Sequence, residues 1–488
     1  MDSHTLADLL ETVSSSGADG LSTAISGVAY RSDRVRAGDA FFCIRGKERD
    51  GHDFAMDAVL RGAAVLVVER ALPGAGVPQV LVHDGRIALA SASARLFGEP
   101  TKRLEVVGVT GTNGKTTTCY LIDSIARASG RRTGLIGTVE TRIGQRCEPA
   151  GRTTPESRDL QELFARMVAD GVDTVAMEVS SHAIDLHRVH GVCFAVAAFT
   201  NLSQDHLDYH GTMEEYFAVK SRLFSELGAR SRVVCVDDEA GSRLAAMTGA
   251  EITVGRGVHA AVRAVDEVAG PTGSTFTLVT PSGEVAVRIP HTGAFNVSNA
   301  LVAAGCGLSL GIPLETIASG LAHAPQVPGR LERVDEGQGF AVLVDYAHTP
   351  DGLAKAIGAV RAVTPGRVIT VFGCGGDRDT AKRPLMGETA GSLSDIVVVT
   401  SDNPRGEDPD SIVEQVLGGL HGASSEVLVE VDRRTAIGSA ISMASDGDAV
   451  LIAGKGHEDY QIFASGTIRF DDREVARAAL RTRAGEPC

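Results

Sequence analysis

From residue 104 onward the chain is punctuated by predominantly apolar runs rather than strictly alternating ones. The runs at 104–109, 172–179, 192–200 and 233–236 each predict a strand buried on both faces, with helical stretches between them. Behind the first of these strands comes a glycine-rich turn, and then Leu121, Ile122 and Ile125 recur at helical spacing. Strands alternating with helices in this way predict a parallel sheet covered on both faces. The same grammar returns later, with strands expected at 341–345, 368–372, 396–400, 427–431 and 449–453, which reads as a second, Rossmann-like unit. The first hundred residues are mixed and less regular.

Two clusters of breaking residues interrupt this pattern. Residues 98–103 (GEPTKR) are turn-rich and charged, and residues 324–330 (APQVPGR) hold two prolines and a glycine. They divide the chain into 1–103, 104–330 and 331–488. The expected fold is α/β in three domains: a mixed α/β N-terminal substrate domain, a central ATPase-like parallel-sheet domain with a phosphate loop, and a C-terminal Rossmann-like domain.

Composition adds few constraints. Of the 488 residues, 43% are hydrophobic and 22% charged, which is enough to build sizeable cores without covalent staples. The eight cysteines are scattered without a CxxC pair, as expected for free thiols in a reducing compartment. A net charge of −15 argues against a general nucleic-acid or anionic-membrane binder, although local arginines and lysines can still hold a small anion. Residues 1–16 do not pair a basic stretch with an apolar core, and the longest apolar runs are too short to span a bilayer. The expectation is a cytoplasmic monomer acting on small molecules, without nucleic acid and without membrane insertion.

The chemistry begins at GVTGTNGKTTT, residues 108–118. A glycine-rich turn between strand and helix lets phosphates approach the backbone, and the helix start offers N–H groups and a positive dipole end. Lys115 is placed to reach the outer phosphates and Thr116 to bind Mg²⁺ through its hydroxyl. Gly111, Thr112, Asn113, Gly114 and Thr117 complete the ATP-binding turn. The glycines fall at 108, 111 and 114, and Val109 stands where the standard pattern wants glycine.

Glu178 lies near the end of the run 172–179, at the sheet edge where ligands of open α/β folds bind, and can serve Mg²⁺ there. His182, His187, His190, His206 and His210 form a local excess, but neither cysteine spacing nor an HExxH motif makes a zinc site of them. Lys220 reads from its spacing as an exposed helix lysine. GCGGDRD at 373–379 superficially suggests a dinucleotide site, yet Arg378 stands where that fingerprint needs glycine.

Together with EVSSH, NLSQDHLDYH, GAFNVSNA (293–300), DYAHTPD (345–351) and GKGHEDYQ (454–461), these motifs resemble the Mur ligases of peptidoglycan synthesis, in the family's order across all three blocks. The resemblance implies an ATP- and Mg²⁺-dependent ligase that phosphorylates a carboxylate on a UDP-N-acetylmuramoyl dipeptide and lets an amine attack the acyl phosphate. It also implies that Lys220 is carbamylated. Glu178, His206 and the Lys220 carbamate then hold one Mg²⁺, and Thr116 with Glu178 another. Lys115, Glu178, His206 and Lys220 are the implied catalytic set. Asn296, Asn299, Arg330 and Asp345 match nucleotide-contacting positions. Tyr30, Ser32, Lys47, Glu48, Arg49, Thr153, Thr154, Ser180 and Arg188 match positions for the UDP-sugar peptide, whereas Leu186 departs from the polar residue of some relatives.

Within the family, GCGGDRD and DNPR (402–405) are similar to the branch that adds diaminopimelate. By that resemblance Arg378, Asp402, Asn403, Pro404, Arg405, Gly454 and Glu458 receive the amino acid. Arg405 offers a planar fork for the distal carboxylate that distinguishes diaminopimelate from lysine. Competing expectations are a lysine-adding relative, a folylpolyglutamate synthase, a nucleotide-hydrolysing switch and a zinc hydrolase.

Overall fold

The computed structural model describes residues 4–46 and 49–485. Three main sheets follow one another along the chain. The first has five strands, four of them parallel (Gly27–Ala29, Asp39–Phe42, Val65–Val68 and Gln79–Val82), with Ser15–Ser16 antiparallel at one edge. It ends in the helix Gly85–Leu96 and a short 3-10 turn, Pro100–Arg103.

The second sheet has eleven strands. At its centre Glu105–Thr110 lies between Thr174–Glu178 and Phe194–Phe199, parallel to both. Its apolar centre, residues 106–109, has a simple cause. Val107 and Val109 face a core shared with Leu121, Ile122, Ile125 and Leu301, while Val106 faces the opposite core with Leu163 and Phe164. Both edges carry antiparallel additions that the apolar runs do not mark. Glu140–Ile143 and Arg146–Pro149 extend one edge; at the other, Val262–Gly270 joins in parallel with Ile252–Gly255, and Gly273–Thr280 and Gly283–Ile289 follow antiparallel. Gly273–Thr280 alternates buried with more exposed positions, the signature of a sheet covered on one face only.

The third sheet has six strands, parallel except for the edge pair Glu332–Arg333 and Ala341–Asp345. Beneath its carboxyl edge lies a fully buried ion pair. Arg433 Nε and Nη2 donate to Asp472 at 2.8 and 2.7 Å, and the same guanidinium reaches the carbonyls of Ser401 (3.3 Å) and Ala453 (3.0 Å). It thereby ties together the ends of two strands. Asp472→Asn would leave that guanidinium buried and underpaired, so it is expected to cost about 3–5 kcal/mol in chemical denaturation. A loss below about 1 kcal/mol, the range of exposed pairs, would contradict this account.

Candidate active site

Strand Glu105–Thr110 delivers the glycine-rich turn to the carboxyl edge of the second sheet, and helix Lys115–Ala128 starts directly behind it. Gly111 has φ 142°, and a Cβ there would fall 2.0 Å from Thr200 Oγ1; Gly114 has φ 87°, and its Cβ would fall 2.2 Å from Asn299 Oδ1. Both positions need glycine for backbone and space together. Gly108, by contrast, lies within the strand, so the irregular spacing leaves the turn itself intact.

The turn is braced from the neighbouring strand. Thr200 Oγ1 donates to the Asn113 carbonyl at 2.6 Å, and the Asn113 N–H donates to Asn201 Oδ1 at 3.0 Å. Lys115 Nζ folds back on the carbonyls of Gly111 (3.0 Å) and Thr112 (2.8 Å). Burial pushes its ammonium below the usual lysine range, a cost that a bound phosphate would offset.

Glu178 pairs in register with Val109, one rung from the turn, and is 1% exposed. Its Oε1 accepts from Thr116 Oγ1 at 3.0 Å and from the Thr138 N–H at 2.7 Å, and its Oε2 accepts from Thr138 Oγ1 at 3.1 Å. Thr138 is absent from the sequence-derived set. It follows strand Thr133–Ile136 at the same sheet edge, so its place just past a strand end was the only available signal.

A cavity of about 610 Å³ opens here. Its walls include Thr112, Asn113, Gly114, Lys115, Thr116 and Thr117 from the turn, and Glu178 and His206 beside them. Thr153 and Ser180 line it, as do Asn299, Arg330 and Asp345 from the far side. Arg330 stacks 4.7 Å above the Tyr346 ring and donates to Thr116 Oγ1 at 3.3 Å. Asp345 accepts the Leu331 and Ala347 N–H groups at 2.7 and 2.8 Å, and burial raises its pKa. Asn296 stands behind the wall, 2% exposed, with its Oδ1 accepting Asn299 Nδ2 at 3.1 Å. Asp351 in the DYAHTPD motif also went unmarked by sequence. Its carboxylate accepts from Asn113 Nδ2 (3.2 Å) and Ser203 Oγ (2.9 Å), joining the third sheet's domain to the phosphate turn.

Lys220 is no surface lysine. It is 1% exposed on helix Met213–Ser225, with Nζ donating to the Gly111 carbonyl at 2.9 Å and lying 4.4 Å from the Tyr216 ring centre. Burial and the nearby Lys115 hold its pKa well below the usual lysine range. It sits behind the turn rather than on the cavity wall. The excess histidines pack mainly as rings. His182 lies 5.0 Å from His206 and 4.1 Å from Tyr209, and His210 lies 5.0 Å from Tyr216. Burial lowers His182 to about 4. Among the described residues, no three His, Cys, Asp or Glu side chains converge as metal ligands.

The residues expected to hold the UDP-sugar peptide are spread along the first two sheets. Tyr30 donates to Asp159 Oδ2 at 2.6 Å, Ser32 opens the turn Ser32–Arg34, and Arg49 is exposed. Lys47 and Glu48 lie outside the described residues. Thr154 Oγ1 donates to the Glu178 carbonyl at 2.9 Å, and Arg188 Nη1 donates to the Thr154 carbonyl at 3.3 Å. Arg188 Nε also lies 3.3 Å from Glu156 Oε2, a carboxylate 4% exposed that accepts from Arg86 Nη1 at 3.2 Å. Neither Glu156 nor Arg86 was expected.

A second group gathers on the third sheet, outside the cavity. Asn403 Nδ2 donates to Glu458 Oε2 at 2.9 Å, and Lys455 Nζ donates to Asn403 Oδ1 at 3.2 Å. Arg405 has φ 53°, unusual for a non-glycine residue, and its Nη1 donates to the Gly376 carbonyl at 2.7 Å. Arg378 is exposed, and the Asp402 carbonyl accepts from Gln461 Nε2 at 2.7 Å. Pro404 lies between Asn403 and Arg405. The Gly454 N–H donates to the Asp345 carbonyl at 3.1 Å, which connects this group to the cavity. Underneath, fully buried Arg383 binds both oxygens of Glu407 (2.9 and 2.8 Å) and holds the glycine-rich segment through the Gly375 carbonyl at 3.2 Å.

Comparison with known proteins agrees with this layout. The Mur ligase middle domain model matches residues 109–307, the Mur ligase glutamate ligase domain model 329–456, and the Mur ligase family catalytic domain model 24–96. The UDP-N-acetylmuramoyl-L-alanyl-D-glutamate–2,6-diaminopimelate ligase of Geobacillus kaustophilus (strain HTA426) is 51% identical over 460 residues, covering 93% of this chain and 94% of that one. The enzyme of the same name from Solibacter usitatus (strain Ellin6076) is 48% identical over 464 residues, covering 94% of each. A solved structure of a ligase of that name superposes with a TM-score of 0.73 at 29% identity, covering 99% of this chain and 100% of that one. Folylpolyglutamate synthase of Mycobacterium tuberculosis shares the fold, with a TM-score of 0.62 at 19% identity, over 82% of this chain and 96% of that one. Fold, phosphate turn and full-length similarity coincide, and the chain belongs to the Mur ligase family.

Proposed function

We propose that the chain joins diaminopimelate, in its meso form, to UDP-N-acetylmuramoyl-L-alanyl-D-glutamate. The γ-phosphoryl group of ATP passes to the free side-chain carboxylate of the D-glutamate and ADP leaves. The amine of diaminopimelate then attacks the acyl carbon, a proton is lost, and phosphate departs as the amide forms. A carboxylate is a poor acyl donor, and phosphorylation supplies the leaving group. One observation carries this reading: the phosphate turn and the acceptor residues Thr153 and Ser180 line a single cavity with Glu178 between them.

Each domain takes one substrate: residues 1–103 the UDP-sugar, 104–330 the ATP, and 331–488 the incoming amino acid. The Thr116 hydroxyl and Glu178 carboxylate are hard oxygen donors that suit Mg²⁺. Hydroxyl and amide donors surround the buried Glu178 carboxylate, so a cation there would neutralise it. Bound Mg²⁺ would neutralise charge on the transferring phosphoryl group, alongside Lys115. For a second Mg²⁺, Glu178 and His206 would be joined by a carbamate on Lys220. Burial favours the neutral Lys220 amine, the form that adds CO₂ and releases a proton. The protein is expected to act as a monomer. All seven described cysteines are unpaired, in keeping with the cytoplasm.

Phosphate release with the UDP-sugar dipeptide, comparing diaminopimelate with lysine, tests the assignment. Release without the UDP-sugar dipeptide would sink the ligase reading, and equal turnover with lysine would sink the choice of amino acid. Activity on folate with glutamate would favour the folylpolyglutamate alternative. Lys220→Ala is expected to lose about 10²-fold or more in kcat and to regain part of it with added short carboxylates. An undisturbed variant, or one that no carboxylate rescues, would count against the carbamate.

A further inference from the structure

Thr138 stands where the two halves of the cavity meet. Its N–H and hydroxyl both reach Glu178, one on each carboxylate oxygen (2.7 and 3.1 Å). Its hydroxyl also lies 3.0 Å from the hydroxyl of Thr153, on the acceptor side. A hydroxyl has one proton to give and two lone pairs to receive. Glu178 as a carboxylate can only accept, so the arrangement satisfying every atom runs one way: Thr153 donates to Thr138, and Thr138 donates to Glu178. On its other flank the same carboxylate accepts from Thr116 Oγ1 at 3.0 Å. An unbroken line of hydrogen bonds therefore runs from the acceptor wall to the first turn of the phosphate helix.

The backbone fixes this line. Thr138 follows strand Thr133–Ile136, which pairs in parallel with Thr174–Glu178, so Thr138 and Glu178 leave adjacent strands at one edge. Gly137 allows the approach, since a Cβ there would fall 2.5 Å from Glu178 Oε1. Thr153 arrives from a separate segment, after the antiparallel edge strands. Its hydroxyl can orient on Thr138 or on a ligand, and a ligand that takes it changes what Thr138 receives.

We propose that Thr138 is a positioning residue that couples occupancy of the acceptor site to the placement of the Glu178 carboxylate, and so to binding of Mg²⁺ and nucleotide. The inference rests on the ligase reading above, because it takes Thr153 as an acceptor contact and Glu178 as a metal ligand. A threonine is required by its hydroxyl, not by its methyl group. Serine should therefore serve, and valine, nearly identical in shape, should not.

Calorimetric titration of the UDP-sugar dipeptide, with and without Mg²⁺ and a non-hydrolysable ATP analogue, measures the coupling directly. The wild type is expected to bind the dipeptide about fivefold or more tightly when the analogue is present. Thr138→Val should bring that ratio close to one, and Thr138→Ser should preserve it. In steady state, Thr138→Val should lower kcat more than it raises KM for ATP, with serine restoring the loss. If valine keeps the coupling, or if serine loses it along with valine, the hydroxyl relay is wrong. A wild-type protein that binds no dipeptide under either condition would instead remove the ligase reading, and this inference with it. Thermal unfolding of the three proteins separates coupling from folding, because a purely structural role would lower the melting temperature of Thr138→Val without changing the ratio.

Discussion

Lys115→Met is expected to lower kcat about a thousandfold or more while leaving the protein folded. Its ammonium belongs to the turn itself and is held by the Gly111 and Thr112 carbonyls, from which a phosphate would draw it. A charge aimed at a transferring phosphoryl group acts most strongly where water is excluded, so its loss should appear in kcat rather than in ATP affinity alone. Burial already disfavours the charged form, and removing it should leave the melting temperature unchanged or slightly raised. Rapid-quench measurement of phosphoryl transfer beside thermal unfolding checks both halves. A variant retaining more than about a tenth of wild-type turnover would overturn the role assigned to Lys115.

The second large effect concerns the choice of amino acid. Arg405→Ala should lower kcat/KM for diaminopimelate by about 10²- to 10⁴-fold, with much less change for lysine, so that the preference between them collapses. Arg405→Lys should recover little, because an ammonium lacks the planar fork that grips a carboxylate at two points. The backbone offers a control for folding. Arg405 sits at φ 53° with its N–H bonded to the Ile462 carbonyl at 2.9 Å. Glycine occupies that conformation without the roughly 1–2 kcal/mol that a side chain incurs. Arg405→Gly should therefore fold at least as well as the parent and still lose the preference. Retained preference in a stable glycine variant would show that another residue reads the distal carboxylate.

What could be read from sequence, and what could not, follows from burial and chain separation. The runs at 104–109, 341–345 and 368–372 were legible because alternate residues feed different cores, which keeps most positions apolar. The antiparallel strands between 262 and 289 were not, since one-sided burial leaves a mixed pattern easily taken for loop. The phosphate turn announced itself through chemistry packed into residues 108–118. Lys220 did not: its spacing suggested an exposed lysine, and only the family resemblance marked it as special. Thr138 reaches Glu178 across 40 residues and Arg86 reaches Glu156 across 70, distances over which no local pattern speaks. The cluster on the third sheet stood out as the GCGGDRD and DNPR motifs, but not its separation from the cavity, which depends on how the third sheet is set against the second.

The buried Glu156 limits how freely this protein can be cut and recombined. Arg86 comes from the first domain and Arg188 from the second, and both meet on the same carboxylate. Nearby, Tyr30 is bonded to Asp159, one turn further along the helix that Glu156 caps. A fragment beginning at residue 104 would strip Arg86 from that carboxylate and uncover the helix start. A chimera that exchanged residues 1–103 for those of a relative would have to bring residues 156–159 with them. The seam between the first two domains is thus written partly in the second domain's sequence, and the natural unit of exchange is larger than the first sheet.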